Sequence, residues 1–192
     1  MFICAVLVMA VAIVGYSALR NRTKPSLLVK KGLLTLLISI TTASSAAAFG
    51  TNLKACRDGY GIDEKIYSFG IPLGMVTFKP STAVNYMVVS LFFAELYGIS
   101  VSVSWIAVMM ITVVILAVAT PPIPGGAITS YTVLFAQLGI PVEALGVALA
   151  CDAIFDFLDT GLDQFLLPFA LLNQAGRLGL VDRTILQRRN SK

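Results

Sequence analysis

Apolar residues occupy long runs of this chain, and the interruptions between those runs define its organisation. The runs at 1–19 and 142–173 approach or exceed the roughly 20 apolar residues that a membrane-crossing helix needs. The run at 66–97 is also long enough, but TFKPST at 77–82 interrupts it, because proline removes a backbone donor and clashes with the preceding turn. The pattern predicts an all-α membrane protein with two spanning helices and one discontinuous helix.

Two further segments are apolar at their ends and polar or helix-breaking in the middle. Segment 26–60 passes through TTASSAAAFGTN, and segment 105–138 passes through ATPPIPGGAIT. Non-helical backbone within a bilayer must be buried in protein or line a cavity. We therefore predict a re-entrant helical hairpin at 26–60, entering from the cytoplasm, and a second at 105–138, entering from outside. A topology in which both hairpins are full spans leaves the end of the chain on the same side of the membrane, so that alternative stays open.

The last apolar run contains four carboxylates, Asp152, Asp156, Asp159 and Asp163. Their spacings of four, three and four residues place them on one narrow stripe of a helix that turns about 100° per residue. An acid near the middle of a bilayer costs roughly 2.5–3.5 kcal/mol on insertion scales, so four of them require protein, water or a ligand around them. The stripe is typical of a polar pathway. The alternative is a soluble helix with one wet face.

Composition supports the membrane interpretation, with 57% hydrophobic and only 12% charged residues. Five basic residues lie between positions 20 and 31 and five more between 177 and 192, which the positive-inside rule assigns to the cytoplasm. We expect a multi-pass protein of the cell membrane, with its amino end outside and a cytoplasmic tail at 177–192. Because the basic residues flank apolar runs, the net charge of +4 does not indicate a nucleic-acid partner.

Several catalytic classes lack the residues they need. The chain has no histidine, which excludes His-dependent triads and disfavours most zinc sites. Cys4, Cys56 and Cys151 are too far apart in sequence to suggest a paired motif. An intramembrane aspartyl protease needs acids on two facing helices, whereas the mid-membrane acids here share one. We predict no enzymatic activity and no cofactor.

Lys79 introduces a charge at the centre of the interrupted run. It lies more than a dozen residues from either end, too far to reach the membrane surface easily. A broken helix of this kind is a pointer to a transporter binding site. A simple proline kink with a snorkelling lysine is the alternative.

The order of these five elements, together with several sequence stretches, resembles the dicarboxylate/amino acid:cation symporters, the glutamate transporter family. The resemblance covers about residues 10–176, which correspond to the carboxyl-terminal transport core of a family member. It does not include the helices that form the family's trimeric scaffold. The stretches that carry it are TTASSAAA at 41–48, GIDEKIYSFGIPLG at 61–74, STAVNYMVVSLFFAELYG at 81–98, IPGGAI at 123–128 and DAIFD at 152–156.

The resemblance implies secondary active transport of a small organic solute, an amino acid or a related amine-bearing or dicarboxylate-like compound, by elevator-type alternating access. It also implies a homotrimer in a lipid bilayer. The alternative is a truncated, non-transporting paralogue or half of a split transporter that needs a partner scaffold. The implied solute-binding residues are Ser44, Ser45, Thr82, Ile123, Pro124, Gly125, Gly126, Asp156, Asp159 and Thr160. The implied coupling or charge-compensating residues are Lys79, Asp152 and Asp163.

This chain departs from the family at the ion and solute positions. Phe78, Pro80 and Leu167 occupy positions where the family has sodium ligands, and none offers the side-chain oxygen that a hard cation prefers. The coupling ion, sodium or a proton, therefore stays open. Asp159 replaces the arginine that binds the solute's side-chain carboxylate in the family. We expect a neutral or cationic amine-bearing solute instead of an acidic one, with Lys79 pairing with Asp159 or Asp156.

Overall fold

The computed structural model describes residues 1–120 and 126–188, and nearly all of this part of the chain is helical. A π-helical turn, Ala55–Gly59, follows the third helix, and a 3₁₀ turn, Val142–Ala144, precedes the eighth. The α-helices are α1 (Phe2–Asn21), α2 (Pro25–Thr42), α3 (Phe49–Lys54), α4 (Glu64–Thr77), α5 (Pro80–Leu96), α6 (Val103–Ala119), α7 (Gly126–Leu138), α8 (Leu145–Leu178) and α9 (Arg183–Gln187).

The long apolar run at 66–97 forms two helices, and the break lies where TFKPST predicts it. Helix α4 ends at Thr77, and Phe78 leaves the helical region with φ −91° and ψ 90°. Helix α5 then begins at Pro80, where the fixed φ of proline suits a first helical position and its missing N–H is not needed. The backbone is therefore interrupted only at Phe78 and Lys79.

Helix α8 is the central element and packs against α1, α2, α4, α5 and α7. Every residue from Asp159 to Phe169 is buried. Leu166 and Leu172 pack in one apolar cluster with residues of α1, α2 and α4. Ala148, nearer the amino end, packs in a second cluster with residues of α5, α6 and α7. Along α8, the four acids of the stripe lie between Ala148 of the second cluster and Leu166 of the first.

Glycines let neighbouring helices approach α8 closely. A Cβ at Gly32, Gly70 or Gly74 would collide with the side chain of Phe165, Leu171 or Leu167 on α8. A Cβ at Gly161, on α8 itself, would collide with Ile40 of α2. Small residues at such contacts are typical of helix packing in membranes. There the hydrophobic effect does not hold helices together, and close approach of the backbones allows van der Waals packing between them.

We expect Gly161→Ala to destabilise the fold by about 1–3 kcal/mol, since the added methyl group overpacks the α2–α8 contact. Gly15→Ala is the matched control, because Gly15 also lies inside a helix but has open space around it. The control should be neutral or slightly stabilising, since alanine favours helix by up to about 1 kcal/mol. Thermal unfolding in detergent compares the two, and equal effects would contradict the close contact.

Residues 177–192 are predicted as a basic tail, but the described part of this stretch, up to residue 188, folds back onto the first hairpin segment. Helix α8 extends to Leu178, and α9 begins after Asp182, whose side chain accepts hydrogen bonds from the N–H groups of Thr184 and Ile185. The Thr184 hydroxyl also donates to it at 2.6 Å. These hydrogen bonds hold the pKa of Asp182 below its usual range. Lys31 of α2 binds the far end of α9.

Within the described residues, two helices are both long and apolar enough to cross a membrane, Phe2–Asn21 and Pro25–Thr42. The first coincides with the predicted span at 1–19, and the second lies in the segment predicted as a re-entrant hairpin. Helix α8 is longer than either, with 34 residues, but carries the four acids. Residues 121–125, the predicted turn of the second hairpin, lie outside the described part.

Candidate functional site

Asn85 of α5 lies opposite the acid stripe and joins two of its carboxylates. Its Nδ2 donates to Asp159 Oδ2 at 2.8 Å and to Asp152 Oδ1 at 3.0 Å. Asn85 is completely buried, and Asp159 is 3% exposed. One amide thus bridges acids that are seven residues apart on α8.

The start of α5 binds the next acid towards the carboxyl end of α8. Asp163 Oδ1 accepts a hydrogen bond from the Ser81 N–H at 2.7 Å, and its Oδ2 accepts one from the Thr82 hydroxyl at 3.0 Å. These donors belong to the first turn of α5, whose N–H groups have no partner within the helix. The carboxylate of one helix therefore caps the amino end of another, where the helix dipole favours a negative charge.

Hydrogen-bonded hydroxyl groups lie between Asp152 and the second hairpin segment. Tyr131 of α7 donates its hydroxyl to Asp152 Oδ1 at 3.1 Å. Tyr86 of α5 lies edge-on against Tyr131, with ring centroids 4.9 Å apart, and its hydroxyl lies 3.0 Å from Thr120 Oγ1. Thr120 Oγ1 is in turn 2.7 Å from Ser130 Oγ. Two hydrogen-bonded groups, Asp152 with Tyr131 and Tyr86 with Thr120 and Ser130, thus meet where the two tyrosine rings are in contact.

Asp156 differs from the other three acids because it is exposed. Its Oδ1 accepts a hydrogen bond from the buried Thr160 hydroxyl at 3.3 Å, within the same helix. It therefore offers a carboxylate to a solute or to a neighbouring protein surface. Among the predicted solute-binding residues, Asp156 and Thr160 form one pair on α8, and Asp159 lies with Asn85.

Lys79 does not form the predicted pair with Asp159 or Asp156. Its Nζ donates to Ser45 Oγ at 3.4 Å, in the turn after α2. In the part of the chain that the structure describes, the ion pair within 4.0 Å is Arg57 with Asp58, far from the stripe in sequence. Lys79 is the last residue before α5, and its side chain contacts the first hairpin segment.

The remaining predicted solute-binding positions belong to the two hairpin segments. Ser44 lies beside Ser45 and accepts a hydrogen bond from the Ala47 N–H at 3.3 Å. Gly126 is the first residue of α7. Ile123, Pro124 and Gly125 lie outside the described residues.

Phe78, Pro80 and Leu167 are the positions that the resemblance implies for sodium ligands, and two of them lie in apolar surroundings. Leu167 is 2% exposed and belongs to the apolar cluster of α1, α2, α4 and α8, against which Phe78 also packs. Pro80 forms the first position of α5. These three side chains offer no oxygen ligand in this arrangement.

Sequence reasoning missed Asn85, Ser81 and Tyr131, which bind three of the four acids. Asn85 carried a usable signal, since an amide in an otherwise apolar helix has to find a polar partner. It follows Ser81 by four residues, so both lie on the same face of α5. Tyr131 carried no signal of this kind, because buried tyrosines are common in apolar cores.

Comparison of the sequence with known proteins identifies a matching family. A sequence model of the Sodium:dicarboxylate symporter family matches residues 1–164. Neutral amino acid transporter A of Bos taurus is 26% identical over 126 residues, which are 65% of this chain and 24% of that protein. Excitatory amino acid transporter 3 of Mus musculus is 23% identical over 148 residues, which are 77% of this chain and 27% of that protein.

The matched region is limited on the side of the relatives. Excitatory amino acid transporter 2 of Mus musculus is 23% identical over 66% of this chain, but only 22% of its own length is covered. The chain thus spans about a quarter of the length of the curated relatives it matches. These relatives are transporters by name, and the family model covers most of the chain. The chain therefore belongs to the Sodium:dicarboxylate symporter family.

Proposed function

We propose that this chain is the solute-binding core of a secondary active transporter that works by elevator-type alternating access and has no catalytic activity. The observation that carries the proposal is the polar network between α8 and the start of α5, at the break of an interrupted helix. Asp163 binds Ser81 and Thr82 there, and Asn85 joins Asp152 and Asp159. Broken helices with free helix ends commonly form solute and ion sites in transporters.

The solute that fits this site best is neutral or cationic and carries an amine. Asp156 presents an exposed carboxylate, and buried Asp159 lies three residues further along α8. Among the described side chains, no lysine or arginine lies within 4.0 Å of either acid. A solute carboxylate near Asp159 would find no cation to pair with, whether Asp159 is ionised or protonated. A dicarboxylate is therefore the less suitable class for this chain.

We further propose a multi-pass arrangement in the cell membrane, with re-entrant hairpins at 26–60 and 105–138. Helix α7 supports the second hairpin, because its 13 residues fall short of the roughly 17–25 of a crossing helix, and α6, with 17, lies at the lower limit of that range. Helix α2 does not discriminate, since its 18 residues are also sufficient for a candidate span. The apolar faces of α1 and α6 are suited to lipid or to a scaffold.

The chain covers only about a quarter of its relatives, so we propose that transport requires scaffold helices from another polypeptide, assembled as a trimer. The coupling ion in this proposal is sodium or a proton. A truncated, non-transporting paralogue is the alternative function. Uptake into proteoliposomes by this chain alone, and together with a scaffold-bearing relative, distinguishes the two.

Ligand-dependent thermal stability tests the solute class. We expect alanine or lysine, at about 100 times the dissociation constant, to raise the stability of the parent in nanodiscs by about 2.7 kcal/mol. Glutamate should have no such effect on the parent but should stabilise Asp159→Arg, which supplies a cation for its side chain. Asp156→Asn should lose stabilisation by the amine-bearing solutes. Sodium-driven glutamate uptake by the parent would refute the proposed solute class.

A further inference from the structure

The buried side chains of Asp159 and Asn85 share one hydrogen bond, and each has one oxygen without a hydrogen-bond partner among the described residues. Asn85 Nδ2 donates to Asp159 Oδ2 at 2.8 Å. Asp159 Oδ1 and Asn85 Oδ1 are both buried and have no hydrogen-bond partner among the described residues. The two unpartnered oxygens belong to the same two side chains that already share a bond. A buried polar atom without a partner costs roughly 1–3 kcal/mol, so this arrangement calls for something between them.

Reversing the amide does not remove the problem. With the opposite orientation, the Asn85 oxygen would face both Asp152 and Asp159, and two ionised carboxylates have no proton to donate to it. Either orientation of the amide is complete only if a positive charge or a proton is added at this pair. Asp159 has no cationic partner in the described part of the chain to provide that charge.

The groups that surround Asp159 do not favour its ionised form. The acids Asp152, Asp156 and Asp163 on α8 repel its charge, and Tyr86 of α5 and Tyr131 of α7 are the other titratable groups near it. Lys79, at the start of α5, binds Ser45 instead. An ionised carboxylate that is 3% exposed and has one hydrogen bond costs several kcal/mol of desolvation.

We propose that Asp159 holds a proton on Oδ1 and donates it to Asn85 Oδ1, so that the acid and the amide form a closed ring of two hydrogen bonds. The proton is the coupling ion of the proposed transport function, on which this inference rests. When the site opens to water, the proton leaves Oδ1 for solvent and Asp159 becomes a carboxylate. The ring breaks at that point, because Asn85 Oδ1 loses its donor while Nδ2 keeps its bond.

The closed ring also explains why Asn85 bridges two acids. Its second Nδ2 hydrogen binds Asp152, which Tyr131 of α7 also binds. Loss of the proton from Asp159 would draw the amide towards the new charge and away from Asp152. Protonation at one helix pair is thus linked to the contact between α7 and α8, the helix that ends the second hairpin segment and the helix that carries the acids.

Infrared spectroscopy of the purified chain in nanodiscs tests protonation without any transport. At pH 7, with aspartate labelled by ¹³C, we expect a carbonyl band of a protonated aspartic acid in the parent. Asp159→Asn should remove this band, because its amide completes the ring without a proton. Asp156→Asn, which changes an exposed acid on the same helix, should retain it. No band in the parent, or a band that survives in Asp159→Asn, would overturn the proposal.

Two further measurements keep the test decisive if Asp159→Asn does not fold. Asn85→Ala removes the acceptor of the proton, so the band should shift or disappear, and an unchanged band would overturn the ring. Addition of sodium at constant pH should leave the parent band in place. If sodium removes the band, a metal cation occupies the pair and the proton assignment is wrong. None of these results depends on solute uptake, so they are separable from failure of the transport proposal.

Discussion

Asp163→Leu should destabilise the chain by about 1–3 kcal/mol for each of the two donors it leaves unpaired. Asp163 is completely buried, and both of its oxygens accept hydrogen bonds from the first turn of α5. Leucine is similar in size but accepts no hydrogen bond, so the Ser81 N–H and the Thr82 hydroxyl lose their partner. Denaturant unfolding in detergent, followed by the fluorescence of Trp105 and by circular dichroism, measures the loss.

Two control variants separate capping from a general effect of removing an acid. Asp163→Asn keeps one acceptor oxygen, so its cost should be clearly smaller than that of Asp163→Leu. Asp156→Leu removes an exposed acid from the same helix, whose one acceptor contact is the long 3.3 Å hydrogen bond from Thr160, so it should cost clearly less than Asp163→Leu. Equal stability of Asp163→Leu and Asp156→Leu would show that the carboxylate does not hold the start of α5.

The features that sequence predicted correctly depend on local chemistry. The all-helical class follows from continuous apolar runs, and the break at Phe78 and Lys79 follows from Pro80, which ends one helix and begins the next. The four acids lie in one helix because their spacing matches the helical period. Each of these inferences uses residues within one segment of chain, so no knowledge of packing is required.

The partner of each polar group could not be predicted in the same way. Which residue meets Asp159 depends on the rotation of α5 about its own axis, and the resemblance to a family gives no information about Asn85. The predicted pair of Lys79 with Asp159 or Asp156 is absent among the described residues, where Lys79 Nζ donates to Ser45 instead. Opposite charges in a sequence do not give the distance between two side chains in the fold.

The docking of the tail was also beyond sequence reasoning. Basic residues at 177–192 indicate the cytoplasm, but they do not show that α9 folds back onto α2. The contact is made by Lys31, for which the charge pattern predicts only a position on the cytoplasmic side of the membrane. Backbone carbonyls are its partners, and these carry no sequence signature at all.

Lys31→Met should release α9 from the bundle. The Lys31 Nζ donates to the backbone oxygens of Gly59, Ile185 and Leu186 at 2.7, 2.9 and 2.7 Å, and the residue is 7% exposed. A hydrogen bond to a charged group contributes about 1.5–3 kcal/mol, and a cation at the carboxyl end of a helix also interacts favourably with its dipole. Methionine fills a similar volume but leaves the three oxygens without this donor, so the α9 contact should open locally.

Amide hydrogen exchange of residues 183–188 measures that opening. Each 1.4 kcal/mol of lost local stability raises exchange about tenfold, so we expect at least a tenfold increase in α9 with α8 unchanged. Lys30→Met is the control, because Lys30 is the exposed neighbour and should leave exchange as it is. Since the oxygens come from Gly59 as well as from α9, the end of the first hairpin segment should exchange faster together with the tail. Faster exchange in α9 alone would show that Lys31 does not couple the two.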